Sequence, residues 1–431
     1  LVLIWNTMPS VDGIPADYVV GQTNFTGFGA GTTAILINAP GGLTVIGSKL
    51  WVADSLSNRL VRWELTGLAN GQAHDLILGQ PAPTVREANL PYGILATNFN
   101  NTNGLSAGSG RLLVADLGNH RVLGWNSVPT NSATPPDFVL GQSSFTSAAI
   151  AATQSGMNAP TGVFSNGTKV FVSDAVFNRV TIWSSFPASN ATNADIVLGQ
   201  TNFTGSSFAT TATGLRAPQD VVSDGTRLIV SDTGNNRILI WNSIPNANGT
   251  AADVVLGQPL MTSGVLNNGG VSASSLGSPY KIAVWNGKLL VADRTNSRIL
   301  IWNSIPTSDA TPADVVVGQP NFVSGSYNAG QAAPNAFGFK TAAAIAVDAK
   351  GRLIVADTQN NRLMIWKSIP TTNFVPADVV IGQPSMTSLE GSMIGPTAST
   401  VALPAALSVD GTNLWVSDNR YYRVLRIPLG N

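Results

Sequence analysis

The sequence contains no cysteine, only two histidines and only three glutamates. The lack of cysteine excludes disulfide bonds, cysteine-ligated zinc and thiol nucleophiles. Charged residues make up 11% of the chain, 23 basic and 23 acidic, which leaves no excess charge to hold nucleic acid or an anionic membrane. Apolar runs such as 253–257 are far shorter than the roughly 20 residues of a membrane-spanning helix. We therefore expect no nucleic-acid partner and no membrane insertion.

A repeat of about 60 residues runs through the whole chain, which is the kind of period that predicts propellers and other arrays. Its first half reads Val-Ala/Ser-Asp, then Arg, then Trp, as in VSDTGNNRILIW at 230–241. Its second half reads Asp-x-Val/Ile/Leu-x-Gly-Gln, as in DVVLGQ at 253–258. Each half occurs seven times, with Ile427 in place of Trp in the last copy of the first half, so the chain of 431 residues consists of seven units that divide the burial among them.

Each unit contains four short apolar segments bounded by turn residues, which is typical of β-strands. In the fourth unit these are 217–223, 227–232, 237–242 and 253–258. Four antiparallel strands per unit predict an all-β, seven-bladed β-propeller formed by residues 1–431 as one domain. The predicted blades are 39–80, 101–142, 159–200, 217–258, 279–319, 340–383, and 403–431 closed by 1–22.

The repeat resembles the NHL repeat, in which a Pro-led strand is followed by a turn of the form VADTGNHRI. Ala217-Pro218 and the segment 230–241 match this pattern closely, and the similarity extends over essentially the whole chain. The resemblance implies a propeller fold. It does not imply one function, because NHL-type propellers include binding platforms as well as metal-dependent lyases and hydrolases.

The two ends of the chain supply one strand too many. Residues 403–427 provide three strands of the seventh blade, and Asp17 to Gln22 would provide its outer strand and close the ring by pairing the N-terminal with the C-terminal part. Leu1 to Trp5, however, aligns with the third strand, as does the segment 423–427. The surplus strand could cover an edge, add a fifth strand, or pair with another molecule.

Most acidic residues recur at the same place in every unit, which favours a structural role. The Asp of Val-Ala/Ser-Asp and the following Arg flank a turn, where a carboxylate can accept backbone N–H groups and pair with a guanidinium. These structural pairs are Asp54/Arg59, Asp116/Arg121, Asp174/Arg179, Asp232/Arg237, Asp293/Arg298, Asp357/Arg362 and Asp418/Arg423.

Few residues remain for catalysis or for a metal. A catalytic zinc site needs three protein ligands, and the chain has only His74 and His120. The segment Gly104 to Gly108 matches Gly-x-Ser-x-Gly, yet it aligns with an inner strand and not with a strand-to-helix turn. We predict no cofactor; an axial calcium ion is an alternative that would have to use Asp220, the one unshared acid at the start of an inner strand.

The loops from each outer strand to the next inner strand are long, neutral and rich in Thr, Ser, Asn and Gly, and loops on a rigid scaffold often carry binding sites. The candidate ligand-binding residues are Phe25, Phe28, Phe145, Phe203, Phe208, Phe322 and Asp220. Hydroxyl and amide groups beside aromatic rings suit a protein, peptide or glycan better than a charged metabolite.

The leading interpretation is a non-enzymatic binding or scaffolding propeller. Its composition, poor in Lys and Glu, favours an extracellular, cell-surface or periplasmic location. Two alternatives stay open at this point. One is a structural subunit of a surface assembly, for which the surplus strand and the near-zero net charge would favour self-association. The other is a metal-dependent lyase or lactonase on the same fold.

Overall fold

The chain folds into a seven-bladed β-propeller, as the repeat predicts. The computed structural model describes residues 2–4, 9–89, 93–389, 395–409 and 413–428, and these form seven β-sheets arranged in a ring. In each of the six blades made from one continuous stretch of chain, the strands follow one another from the inner strand at the channel to the outer strand at the rim.

The strands are three to seven residues long. In chain order they are β1 Val2–Ile4, β2 Tyr18–Val20, β3 Pro40–Ile46, β4 Lys49–Asp54, β5 Arg59–Glu64, β6 Leu76–Leu78, β7 Thr102–Gly108, β8 Arg111–Asp116, β9 Arg121–Trp125, β10 Phe138–Leu140, β11 Gly162–Ser165, β12 Val170–Asp174, β13 Arg179–Trp183, β14 Ile196–Leu198, β15 Asp220–Ser223, β16 Leu228–Asp232, β17 Arg237–Trp241, β18 Val254–Leu256, β19 Pro279–Trp285, β20 Lys288–Asp293, β21 Arg298–Trp302, β22 Val315–Val317, β23 Ala342–Val347, β24 Leu353–Asp357, β25 Arg362–Trp366, β26 Val379–Ile381, β27 Pro404–Val409, β28 Asn413–Asp418 and β29 Arg423–Pro428.

The helical segments in the described part of the chain are single 3₁₀ turns. They are Ser55–Ser57, Leu117–Asn119, Thr233–Asn235, Arg294–Asn296 and Thr358–Asn360, whereas the central residues of Leu266–Gly269 and Tyr327–Gly330 have left-handed, non-helical backbone angles. Across the described ranges, no helix is long and apolar enough to cross a membrane.

The third strand of each blade is part of the core. All five residues of β17 are buried, because the faces of a blade pack against both neighbouring blades, and this explains the continuous apolar run. The tryptophan that ends the strand fills the core and also donates from Nε1 to a loop carbonyl nine residues later, as Trp241 does to Thr250 at 3.0 Å. In the seventh blade, the buried Ile427 takes the tryptophan position.

The seventh blade differs from the other six because it has five strands in the order β2-β1-β29-β28-β27. The surplus strand β1 lies between the third and outer strands, parallel to β29 with Val2 opposite Val424, and antiparallel to β2 with Val2 opposite Val20. Of the three arrangements left open for the surplus strand, the structure shows a fifth strand, and the outer strand β2 is joined to β29 through β1. Both strand edges of β1 are used within the blade, and the ring is closed by the N-terminal part of the chain.

The outer edge of each blade is covered by the loop that leads into the outer strand of the next blade. In the third blade, the N–H of Val197 donates to the side-chain oxygen of Asn248 at 3.0 Å, and its carbonyl accepts the N–H of Gly249 at 2.9 Å. The side-chain acceptors around the ring are Asn70, Ser132, Asn190, Asn248, Asp309, Asn373 and Asp12. These contacts leave the central N–H of each outer strand unavailable for pairing with another chain.

Candidate functional site

The recurring Asp/Arg pair holds the loops of one face of the ring together. In the fifth blade, Arg298 Nε donates to Asp293 Oδ2 at 2.7 Å, and both side chains are completely buried. The two remaining guanidinium nitrogens donate to loop carbonyls: Nη1 to Phe322 at 2.6 Å, and Nη2 to Ser272 at 3.0 Å and Ser275 at 2.8 Å. One guanidinium therefore joins its own turn, the loop that precedes its blade and the loop that follows it.

The same buried pair is present in six blades. The Nε to Oδ2 distance is 2.6 Å for Arg59–Asp54 and Arg121–Asp116, 3.0 Å for Arg179–Asp174, 2.7 Å for Arg237–Asp232 and Arg298–Asp293, and 2.9 Å for Arg362–Asp357. In the seventh blade Asp418 is buried and accepts the N–H of Ala402 at 3.1 Å, while the side chain of Arg423 lies outside the described residues.

Burial and the arginine act in opposite directions on these carboxyl groups. Burial raises the pKa of Asp54 to about 6 and that of Asp174 to about 6, although the neighbouring guanidinium of Arg59 or Arg179 favours the charged form. The hydrogen bonds that each carboxylate accepts from a backbone N–H also favour the charged form.

The turn between Asp and Arg ends in a residue with left-handed backbone geometry, which explains the preference for Asn before Arg. In the fourth blade Asn236 has φ 54°, and its side-chain oxygen accepts the N–H of Ser278, the residue before the next inner strand, at 3.0 Å. His120 occupies the same position in the second blade, and its Nδ1 accepts the N–H of Ala159 at 3.0 Å. The imidazole thus replaces the asparagine oxygen in a structural contact.

The glutamine of Gly-Gln and the Asp that precedes it are also structural. Gln258 Nε2 donates to the carbonyls of Asn236 at 3.0 Å and Val265 at 2.8 Å, which ties the turn to the long loop. Asp253 accepts the N–H of Asn242 at 2.8 Å and so fixes the chain after Trp241. The polar residues that recur in every unit are therefore used to position the turns and the long loops, and a ligand site has to be sought among the residues that do not recur.

The six candidate phenylalanines fall into two groups. Phe25, Phe145, Phe203 and Phe322 each follow the glutamine by three residues, are partly buried and pack against the core. Phe28 and Phe208 are exposed on the loops, and the guanidinium of Arg216 lies 4.7 Å from the ring centre of Phe208. The structure therefore does not bring the six rings together in one site.

Neither histidine takes part in a cluster of metal ligands. His74 is buried and packs edge-on against Trp63, with 6.0 Å between the ring centres, and burial lowers its pKa to about 4. In the described part of the chain, no three His, Asp or Glu side chains are grouped as a metal ion would require. Ser106, in the Gly-x-Ser-x-Gly segment, lies inside the inner strand β7, and its hydroxyl accepts the N–H of Ser165 at 3.0 Å.

The non-recurring polar residues meet in a pocket of about 460 Å³ at the start of the inner strands, around the ring axis. In most blades a β-bulge interrupts the pairing near the start of the inner strand, and residues at this point line the channel in all seven blades. In four consecutive blades these positions hold polar side chains, which we call the polar arc: Asn103, Thr161, Gln219, Asp220, Tyr280 and Lys281. In the other three blades the pocket is lined at these positions by Gly41, Gly42, Ala344, Ala405 and Ala406.

An ion pair lies in the middle of the polar arc. Lys281 Nζ is 3.1 Å from Asp220 Oδ1, and Asp220 Oδ2 accepts the N–H of Ile282 at 3.0 Å. Burial within the channel opposes the charge of Lys281, but the carboxylate of Asp220 outweighs it and raises the pKa of the ammonium group. The lysine side chain is still 39% exposed to the interior of the pocket.

Of the polar arc, only Asp220 was predicted from the sequence. The signal for the others is visible in the aligned repeats: the two residues before the first Leu, Ile or Val of the inner strand differ in chemistry from unit to unit. The pairs are Gly41-Gly42, Asn103-Gly104, Thr161-Gly162, Gln219-Asp220, Tyr280-Lys281, Ala343-Ala344 and Ala405-Ala406.

A second feature of the loop-bearing face is its exposed apolar side chains. In the described part of the chain, all the exposed large apolar residues except Val11 and Ile14 lie in the outer-to-inner loops, in the turns between second and third strands, or at the start of an inner strand. They are densest on three consecutive loops, where we call them the apolar arc: Phe208, Leu260, Val265, Leu266, Val323 and Tyr327. The only charged residues of these loops, 201–216, 259–278 and 320–340, are Arg216 and Lys340.

Comparison with known proteins supports the fold. No protein-family model and no curated protein matches the chain. Among solved structures it is similar to U3-55K, with a TM-score of 0.51 and 9% identity over 88% of each chain. It is also similar to virginiamycin B lyase from Staphylococcus aureus (TM-score 0.46, 13% identity, 89% of this chain and 92% of that one) and to the computationally designed Ika8 protein (TM-score 0.48, 8% identity, 94% and 100%). At such low identity these similarities concern the fold alone, and membership of the NHL-repeat group stays a prediction.

Proposed function

We propose that this protein is a non-enzymatic binding propeller that docks a protein partner through its loop-bearing face, outside the cytoplasm. The observation that carries the proposal is the apolar arc. Exposed apolar residues concentrated on one face, with few charges among them, are typical of the central part of a protein interface.

The scaffold beneath the arc favours the same function. The loops 259–278 and 320–340 are each held by Arg298 from below, and a glutamine joins each of them to the turn of the preceding blade, as Gln319 does through Asn296 and Ser326. Loops that are fixed before binding lose little conformational entropy when a partner docks, and this favours affinity.

A protein fits the arc better than a glycan does. The apolar arc consists of side chains without strong hydrogen-bonding groups, apart from the hydroxyl of Tyr327, so its contribution to binding would come from burial of apolar surface. A glycan exposes hydroxyl groups that would lose their water at such a surface and find few partners there.

The test compares two exposed valines on opposite faces. Val265 in the apolar arc is 62% exposed, and Val11, in the loop between β1 and β2, is 59% exposed. Wild-type protein, Val265→Asp/Val323→Asp and the control Val11→Asp are each immobilised and exposed to surface extracts of the source cells. The captured proteins are identified by mass spectrometry, and their affinities are measured with purified partner.

We expect a partner that binds the wild type and Val11→Asp equally and binds the arc variant at least about 30-fold more weakly, the size of a typical interface hot spot. Equal binding by all three proteins would refute docking through the arc. The extracytoplasmic location rests on composition, and fractionation of the source cells with an antiserum to the protein tests it; recovery with cytosolic markers alone would contradict it.

A further inference from the structure

We propose that the pocket on the ring axis is a second binding site, separate from the apolar arc, and that it takes a neutral, polyhydroxylated ligand of one or two sugar units. Its adjacent hydroxyl groups would bind Asp220 and Lys281. Nothing in the docking of a protein at the loops requires such a pocket, so the two sites can be tested independently.

The shape of the pocket fits a small ligand. Its volume of about 460 Å³ falls in the range of about 300–1,000 Å³ that is usual for small-molecule sites. The space exists because three blades line it with glycine and alanine where the other four have larger side chains. A Cβ atom at Gly42 would overlap the carbonyl oxygen of Asn103, so a larger residue at that position would also disturb the neighbouring strand.

The charge of the pocket indicates a neutral ligand. Asp220 and Lys281 are the charged residues among those that line the pocket, and their charges cancel at 3.1 Å. An anion attracted by the ammonium group would be repelled by the carboxylate beside it. A cation attracted by the carboxylate would be repelled by the ammonium group. A calcium ion would additionally have to displace Lys281 from the one carboxylate that the pocket offers.

The hydrogen-bonding groups indicate hydroxyl groups on that ligand. A hydroxyl both donates and accepts, so it can accept from the lysine ammonium while it donates to the adjacent carboxylate. Within the described ranges, the ammonium of Lys281 has no protein acceptor other than Asp220, and the side chains of Asn103 and Tyr280 have no protein hydrogen-bond partner. Around the ion pair the arc thus offers further amide and hydroxyl groups, spread over four blades, to a ligand with several polar groups.

The ring of Tyr280 supplies the apolar contact that a sugar also needs. The guanidinium of Arg294 lies 4.9 Å from the centre of this ring and restricts its orientation. The C–H face of a sugar ring packs well against such an aromatic surface. A zwitterionic amino acid could satisfy both charges of the ion pair, but its single ammonium and carboxylate groups would leave the rest of the arc without ligand partners.

The experiment uses the full-length protein and named probes. Glucose, galactose, mannose, N-acetylglucosamine, maltose and cellobiose are each titrated by calorimetry and by saturation-transfer NMR, with glycine, acetate and ammonium as charged probes. Asp220→Asn and Lys281→Gln are compared with Asp224→Asn and Arg227→Gln, which alter an ion pair of the same blade at the hairpin turn on the opposite face. Melting temperatures establish that each variant is folded.

We expect at least one sugar to bind the wild type. Its affinity should fall 10-fold or more in Asp220→Asn and in Lys281→Gln, because each of these variants loses a charge-assisted hydrogen bond to the sugar. In Asp224→Asn and Arg227→Gln the affinity should change less than 2-fold. Crystals of the wild type soaked with that sugar should show it beside Asp220, a result that does not depend on any variant being stable. The proposal is overturned if no sugar of the panel binds, if only glycine or another charged probe binds, or if the soaked sugar lies elsewhere. Val265→Asp/Val323→Asp should keep full sugar affinity, so loss of protein docking and loss of sugar binding are distinguishable.

Discussion

Replacing Arg298 with methionine tests the structural role of the recurring ion pair. Methionine preserves much of the side-chain volume but removes the charge and five N–H donors. Asp293 would keep the hydrogen bonds from Asn296 at 2.8 Å and from the N–H of Gly277 at 2.7 Å, yet its buried charge would lose its counter-ion. Breaking a completely buried pair in this way costs about 3–5 kcal/mol of the free energy of unfolding.

The loss should depend on pH in a defined direction. Burial already raises the pKa of Asp293 above 3.8 while Arg298 opposes the shift, so removal of Arg298 raises this pKa further. A carboxyl group whose pKa is higher in the folded than in the unfolded protein contributes stability below the unfolded pKa and loses it as the pH rises through the folded pKa. The difference between variant and wild type should therefore shrink as the pH is lowered from 8 towards 4.

Equilibrium urea unfolding, followed by tryptophan fluorescence, measures the effect, and hydrogen exchange locates it. Because Arg298 binds the carbonyls of Ser272, Ser275 and Phe322, faster exchange should appear mainly in the loops 259–278 and 320–340. Arg227→Met serves as the control: its pair with Asp224 is 33% and 21% exposed and should contribute less than about 1 kcal/mol. Equal losses in the two variants, or a loss of Arg298→Met that is the same at pH 5 and pH 8, would refute the reasoning.

Three further predictions concern single blades. Gly124 lies opposite Phe138, whose ring fills the space of a side chain at 124, so Gly124→Ile should destabilise the protein by about 1–3 kcal/mol and the added change Phe138→Ile should restore most of it. Burial lowers the pKa of His74 from 6.5 to about 4, so its contribution to the free energy of unfolding is complete above pH 6.5 and is lost as the pH falls towards 4. Between pH 7 and pH 4.5, urea unfolding should show that the wild type loses about 2–3 kcal/mol more than His74→Gln does. Asn248→Ala removes the acceptor of the Val197 N–H, so this amide should exchange about 5-fold faster or more, at a stability cost of about 1 kcal/mol.

Each of the three has its own contrary outcome. The third blade has isoleucine at the positions of both Gly124 and Phe138, with Ile182 opposite Ile196. If Phe138→Ile did not rescue Gly124→Ile, the loss of stability would not come from overlap with the phenyl ring of Phe138. Parallel pH profiles of wild type and His74→Gln would remove His74 as the titrating group. Unchanged exchange at Val197 would show that the side-chain cover of the blade edge is dispensable.

The sequence by itself determined the architecture. Seven copies of two motifs fixed the number of blades, and the apolar segments between turn residues located the strands; β17 at 237–241 falls within the predicted 237–242. These features are predictable because each blade follows local rules: short apolar runs form strands, and Asn before Arg adopts the left-handed turn conformation. A structural role for the Asp/Arg pair also followed from recurrence, since a chemical site would not need to be repeated in every blade.

Only the tertiary structure decided the features that depend on contacts between residues distant in the chain. The place of β1 between β29 and β2 could not be derived from the sequence. Covering an edge, adding a fifth strand or pairing with another molecule would each give this strand hydrogen-bonding partners. Four of the candidate phenylalanines pack against the core although their loops look alike in sequence. Lys281 meets Asp220 across 61 residues of sequence, and only the packing of two neighbouring blades brings the two side chains together. The residues that recur in every blade form their turns and strands through local interactions, and the repeat is enough to predict these. The pocket is lined by residues that differ between blades and that meet only when the seven blades form a closed ring.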